Sequence, residues 1–117
     1  MATSIAKFYR VKDTSELDLK IEIGQAQRGI TDISLGDKKL VENVAGDVSE
    51  KLPGKGEDLK GKTMFCHTMV IDVRDETNET SVTYKLTGGK TDFKETLQES
   101  VEEHGTKHYV AIFTFTY

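Results

Sequence analysis

The sequence predicts a mostly β fold, a single-domain antiparallel two-layer β-sandwich over residues 1–117. Two segments with a period of two, Leu17–Ile23 and Tyr109–Tyr117, carry this prediction. Successive side chains of a strand point to opposite faces, so each segment can turn one apolar face toward a common core. A length of 117 residues is typical of one domain. A barrel is the alternative architecture.

The predicted sandwich is immunoglobulin-like only in its layers and its number of strands. The chain has one cysteine and no tryptophan, so the cysteine and tryptophan signature of immunoglobulin domains is absent. About seven strands at hairpin-like spacings are expected.

The first part of the chain contains the clearest strand. In Leu17–Ile23 every second residue is apolar and the residues between them are charged. Ile5–Val11 is predicted to be a shorter strand. Asp13–Glu16 has the composition of a turn, because Asp and Ser side chains can bond the nearby backbone. The two strands are therefore predicted to form a hairpin.

The next segments are shorter and less regular. Ile30–Leu35 is predicted to be a strand, and a turn at 36–39 leads into another strand at Leu40–Val41. Residues 42–52 follow neither a helical nor a strand period. They are predicted to be irregular, with a bulged strand as the alternative.

The strongest loop signal lies at Pro53–Gly56. Proline presets φ and the following glycine accepts a positive φ, so the pair favours a type II turn. Lysines surround this loop at positions Lys51, Lys55, Lys60 and Lys62. We interpret them as solvated charges, with an anion-binding loop as the alternative.

Thr63–Val73 is predicted to be a central strand. Phe65 and Ile71 fall on one face, Met64 and Val70 on the other, so both faces are largely apolar. This pattern predicts burial on both sides, or a position beneath a loop. The following strand has Val82, Tyr84 and Leu86 on one face and ends at Gly88–Gly89.

Residues 92–104 are predicted to contain one short helix. Phe93, Leu97 and Val101 recur every fourth residue, as on a helix face. Asp92 followed by Glu95 resembles a capping box. A pair of shorter strands is the alternative.

The C-terminal segment is predicted to be a central strand. Its residues are almost all β-branched or aromatic, which is typical of strands. An exposed edge of this composition would promote aggregation, so neighbours are expected on both sides.

Composition excludes several partners. The net charge is −4 and basic residues form no stripe, so neither nucleic acid nor an anionic membrane surface is expected as a partner. The longest apolar run, Tyr109–Phe113, is too short for membrane insertion. Met1–Ser4 lacks the features of a signal peptide, which leaves either a cytoplasmic protein or an exported one whose leader was removed.

Cysteine and histidine chemistry is expected to be absent. Cys66 is predicted to be a buried structural residue, because free cysteine is among the most buried residue types. His67 follows it directly but points to the opposite face of the strand, so the two cannot form a dyad. His104 and His108 could add zinc ligands, but no supporting motif surrounds them. No catalytic residue, metal or cofactor is therefore predicted.

Acidic residues cluster around one predicted loop. They are Asp72, Asp75, Glu76 and Glu79, with Asn78 among them. We interpret this loop as a solvated acidic turn. A calcium site is the alternative, because calcium takes oxygen ligands.

The predicted function is that of a non-enzymatic binding or adhesion module whose loops recognise a protein or a glycan. Rigid strands would hold these loops in place. The residues predicted to bind are Lys55, Asp58, Asp75, Glu76 and Asn78. The alternative is a structural or assembly subunit that associates through its sheet edges. An enzyme built on Cys66 and the histidines is the third hypothesis. A monomer or a weak homo-oligomer is expected.

Overall fold

A computed structural model describes residues 3–74 and 76–117, and its strands form two layers. These two ranges contain nine strands and one helical turn. They are β1 (Thr3–Arg10), β2 (Asp18–Ile23), β3 (Arg28–Leu35), β4 (Lys38–Ala45), β5 (Val48–Lys51), α1 (Gly56–Leu59), β6 (Thr63–Ile71), β7 (Glu79–Thr87), β8 (Phe93–Ser100) and β9 (Thr106–Thr116).

The strands pair into a five-stranded and a four-stranded sheet. The five-stranded sheet has the order β1-β9-β6-β3-β4, and the four-stranded sheet has the order β5-β2-β7-β8. All neighbours are antiparallel except β1, which runs parallel to β9. The mostly β, two-layer prediction is confirmed, whereas the prediction of an entirely antiparallel sandwich is wrong for β1.

The core lies between the two sheets and uses the two segments that predicted the fold. Leu19 and Ile21 of β2 are fully buried, as are Tyr109 and Phe113 of β9. Phe93 packs edge-on against Phe113, with ring centroids 5.3 Å apart. Burying a large apolar side chain of this kind contributes about 1.5–3 kcal/mol. Both strands therefore supply much of the interior.

The predicted hairpin between the first two strands is wrong. β1 belongs to the five-stranded sheet and β2 to the other, so the intervening loop crosses the sandwich. Val11 and Leu17 are fully buried at the two ends of this crossing. The Tyr9 ring packs edge-on against Phe115, with centroids 6.3 Å apart, and anchors β1 beside β9.

The predicted helix in residues 92–104 is also wrong, because residues 93–100 form strand β8. Residues four apart share a face in a strand as well as in a helix, and Phe93 and Leu97 both point inward. β8 is an edge strand, so the half-buried Glu95 between them can keep its charge near solvent. Val101 lies beyond the end of the strand.

In three other segments the structure agrees with the sequence-based prediction or refines it. β6 lies in the middle of its sheet and β9 has neighbours on both sides, so both central positions are confirmed. β4 shifts its register against β3, which confirms the bulged-strand alternative for part of residues 42–52. Residues 48–51 of the same segment form β5, and α1 was not predicted.

Candidate functional site

The loops lie at the two ends of the sandwich, which is 46 Å long. The Pro53 end carries the loops at 11–17, 52–62 and 88–92, and the Asp72 end carries those at 24–27, 72–74, 76–78 and 101–105. Lys55 and Asp58 lie at the Pro53 end, whereas Glu76 and Asn78 lie at the Asp72 end. Asp75 lies outside the described residues. The structure therefore does not bring the predicted binding residues into one site.

At the Pro53 end, polar groups hold the loop to its neighbours. The Asp58 carboxylate accepts a hydrogen bond of 2.9 Å from the Lys55 backbone N–H and fixes the start of α1. The Gly56 N–H donates to the Ser15 carbonyl at 2.9 Å. Within this end Asp58 has a structural role, while the Lys55 side chain is exposed.

At the Asp72 end, a buried pair ties the loops together. The Gln27 amide nitrogen donates to Asp72 Oδ1 at 2.9 Å and to the Glu79 carbonyl at 3.1 Å. Gln27 Oε1 accepts the Val73 N–H at 2.8 Å, and Asp72 Oδ2 accepts the His104 N–H at 3.2 Å. Both oxygens of Asp72 are thus occupied by the protein itself.

The other acidic residues of this end also have partners. Glu76 bonds Arg74 at 3.0 Å, and its pKa is lowered by its own backbone N–H and by that guanidinium. Glu79 accepts hydrogen bonds from Ser100 at 2.5 Å and Gln98 at 3.2 Å, which lower its pKa. Asn78 is exposed. In residues 3–74 and 76–117, no three His, Cys, Asp or Glu side chains are placed to hold a metal ion.

The cysteine and the histidines do not form one centre. Cys66 is fully buried, and burial raises the pKa of its thiol to about 12, so the thiol is protonated at neutral pH. His67 points away from it on the opposite face of β6, as predicted. His104 lies 3.9 Å from Glu103 in the turn before β9.

The outer face of the five-stranded sheet exposes several large apolar side chains. We define this outer face by the side chains of β1, β9, β6 and β3 that point away from the core. Phe65 is 43% exposed and Phe8 is 78% exposed. The strand register places Phe65 beside Ile112 and Met69 beside Ile30. Its apolar members are Ala6, Phe8, Ile30, Phe65, Met69, Ile71, Val110 and Ile112.

Sequence reasoning missed this face. The apolar alternation of β6 was visible, but it predicted burial on both sides of the strand. Met64 and Val70 are indeed in the core, whereas Phe65, Met69 and Ile71 are covered by no second layer among the described residues and keep part of their surface exposed. The sequence pattern marks these side chains as apolar but does not state what covers them.

Two hollows and a few charges shape the outer face. One hollow of about 270 Å³ lies beside Phe65 and is bordered by Asp32 and Lys39. A second, of about 480 Å³, lies between Ile30 and Ile71 at the Asp72 end. An uneven surface of this kind can receive side chains of a partner.

A histidine pair occupies the middle of the outer face. His67 Nε2 and His108 Nδ1 are 2.9 Å apart, and the ring planes differ by 17°. The ring centroids are 5.1 Å apart, so the two nitrogens must lie close to the line that joins them. The rings therefore meet edge to edge through an N–H···N hydrogen bond and are not stacked face on. Because these two ring nitrogens bond each other, they do not have to give up a hydrogen bond to water when a partner covers the middle of the face.

No family model, curated protein or solved structure matches the chain. Within the ranges that the structure describes, the only helix is α1, and it is too short to reach across a bilayer.

Proposed function

We propose that this protein is a non-enzymatic binding module that holds a protein partner against its outer face. The cluster of exposed and half-buried apolar side chains on β1, β9, β6 and β3, with the histidine pair among them, is the observation that carries this proposal. With strands about 4.8 Å apart and about eight residues long, the four strands present a face of roughly 500 Å², of which the apolar side chains cover part. The largest apolar patch on the surface of a protein is often functional.

The composition of the outer face favours a protein over a glycan. Phe, Met and Arg are enriched in the buried centres of protein interfaces, while polar residues form the rim. Phe65 and Met69 lie toward the middle of this face, and Arg10 and Arg28 lie at opposite ends of it. The partner that fits is a protein surface with an apolar centre and carboxylates around it.

The chemistry of Cys66 supports the non-enzymatic part of the proposal. A thiol nucleophile needs a lowered pKa and access to solvent, and Cys66 has neither. The immunoglobulin-like description also belongs to this proposal, and it refers only to the two layers and the number of strands.

Binding through the loops is the competing mode of recognition. It gains no support from the placement of Lys55 and Asp58 at one end and of Glu76 and Asn78 at the other, because one ligand cannot easily contact both. Each end could still act alone, so the experiment must separate three surfaces.

A random peptide library displayed on phage provides the test. Peptides selected on the immobilised protein are expected to be rich in apolar and acidic residues. Binding to the Phe65→Ser variant should fall about tenfold or more, because an aromatic anchor in an interface is often worth at least about 1–2 kcal/mol. Lys55→Ala and Asn78→Ala, one for each end, are the matched controls and should bind as the parent does.

The opposite pattern would replace the proposal. Peptides that tolerate Phe65→Ser but lose binding with Lys55→Ala or Asn78→Ala would move the site to a loop. Binding to a glycan array in the absence of any peptide would change the class of partner. Unaltered thermal melts of all three variants would show that the fold is preserved.

A second candidate function is an assembly subunit that associates through a sheet edge. The edge of β1 favours it, since this strand pairs residue by residue with β9 and contains neither Gly nor Pro. Its last residue, Arg10, already bonds the Lys90 N–H through its carbonyl.

A further inference from the structure

β1 differs from the other three strands at sheet edges. Native proteins protect such edges with short strands, bulges or charges. β5 has four residues, and β4 shifts register and begins with two lysines. β8 carries Lys94, Glu95 and Glu99 along its length. β1 has eight residues in unbroken register and only one charge, Lys7, before its last residue. Within the described residues, only that last one, Arg10, has its backbone bonded at the open edge, where its carbonyl accepts the Lys90 N–H.

The free backbone groups of β1 can be assigned from one hydrogen bond. The Val11 N–H donates to the Thr116 carbonyl at 2.7 Å, so the backbone of Val11 points toward β9. Backbone groups alternate in direction along a strand. The N–H and C=O groups of Ser4, Ala6 and Phe8 therefore point away from β9, toward the open edge.

The side chains of the same three residues lie on the outer face. Tyr9 is buried in the core, so residues at even positions of β1 face outward. Ser4 and Ala6 are small, whereas Phe8 is large and 78% exposed. A second strand laid along this edge in the opposite direction can place a large side chain against a small one.

We propose that β1 pairs antiparallel with β1 of a second copy of this chain, about a two-fold axis at Ala6. Ala6 then lies opposite its own copy, and Phe8 lies opposite Ser4 of the second copy. Each of these pairs uses edge-pointing backbone groups and exchanges both N–H···O bonds. Moving the axis to Lys7 would place two lysines directly opposite each other, which is unfavourable.

The pairing joins two five-stranded sheets into one. Because the axis stands perpendicular to the sheet, both outer faces point to the same side and the two Phe8 rings lie at the junction. The pairing rests on the second candidate function and gives it a partner and a register. It does not depend on what the outer face binds, so it stands or falls separately from the proposed binding of a protein partner.

Disulfide trapping tests the register directly. With the axis at Ala6, the two Cα atoms of position 6 lie about 5.5 Å apart, within the range that a disulfide spans. Ala6→Cys is therefore expected to give a covalent dimer under mild oxidation. Ser4→Cys is the matched control on the same strand and face: its two copies lie about 14 Å apart and should cross-link about tenfold less. The parent chain, whose Cys66 is buried, should not cross-link.

Light scattering provides the second readout. The mass of the parent chain should rise from monomer to dimer with concentration, while Ala6→Pro should stay monomeric because it removes an edge-pointing N–H. If Ala6→Pro does not fold, the comparison of Ala6→Cys with Ser4→Cys still tests the pairing. A parent chain that remains monomeric, with no trapped dimer of Ala6→Cys, would overturn the pairing. Equal cross-linking of Ser4→Cys and Ala6→Cys would overturn it as well.

Discussion

Three buried tyrosines allow a matched test of how the core handles polar groups. Tyr9, Tyr84 and Tyr109 are all buried, but only Tyr84 has a hydroxyl without a hydrogen-bond partner among the described residues. Burial raises the pKa of Tyr84, and the nearby Thr68 hydroxyl opposes that shift without reaching hydrogen-bonding geometry. Replacing each tyrosine by phenylalanine removes one oxygen and leaves the ring.

The direction of each effect follows from the partners. The Tyr9 hydroxyl donates to the Thr91 carbonyl at 2.7 Å and accepts the N–H of buried Gly89 at 3.1 Å. Tyr9→Phe leaves that N–H unpaired and should cost about 1–3 kcal/mol. The Tyr109 hydroxyl bonds Thr80 at 2.6 Å, so Tyr109→Phe should cost about 1 kcal/mol.

Tyr84→Phe should act in the opposite direction. Its hydroxyl loses contact with water on folding and gains no partner in return, a penalty of about 1–3 kcal/mol. Removing it should raise the free energy of unfolding by about 1 kcal/mol, or the Tm by about 4 °C in a domain of this size.

Urea unfolding followed by circular dichroism measures all three variants. The dependence of the free energy on urea should stay unchanged, so that shifts in the midpoint report stability. If Tyr84→Phe destabilises the protein as much as Tyr9→Phe does, the Tyr84 hydroxyl has a partner in solution, such as an internal water, and the reasoning fails.

Two further predictions concern pH and the Asp72 end. The pKa of Cys66 is raised from 9.0 to about 12, so above pH 9 the unfolded chain binds fewer protons than the native one and stability should fall as pH rises. A pH series of urea melts should show this fall, at up to about 1.4 kcal/mol per pH unit for one group, and a smaller fall in Cys66→Ala; equal slopes would contradict it. Gln27→Ala leaves the Val73 N–H unpaired and should lower the free energy of unfolding by about 2 kcal/mol, with faster amide exchange in residues 72–74 and 76–78. Gln98→Ala, at an exposed site, is the control and should change little. Equal effects of the two substitutions would refute the role of Gln27.

The sequence was informative wherever a strand buries one face. In β2 and β9 the inward positions are buried, with only Ile23 partly so, because each of these strands lies between two neighbours in its sheet. The prediction was wrong at β8, where an edge position relaxes the need for strict alternation and Glu95 can lie among inward residues. It also failed at β1, whose partner in the sheet is remote in sequence.

The candidate site was harder to predict for a physical reason. The apolar pattern of β6 identifies Phe65 and Met69 as apolar, but it does not show whether another part of the same chain buries them. Lys55 and Glu76 both lie in polar loops, and the sequence does not show how far apart these loops are. Only the strand topology places them at opposite ends of the sandwich. The hydrogen bond from the Gln27 amide to the Asp72 carboxylate joins residues 45 positions apart, which no local motif reveals.

The parallel pairing of β1 with β9 has a consequence for the order of folding. During synthesis Tyr9 leaves the ribosome long before Phe115, its partner in the register and its contact in the core. Until β9 arrives, β1 has no place in the sheet, so the nascent chain cannot complete this layer strand by strand. Contacts of such large sequence separation slow folding, and the layer should close late, in a single event that brings the first and last strands together.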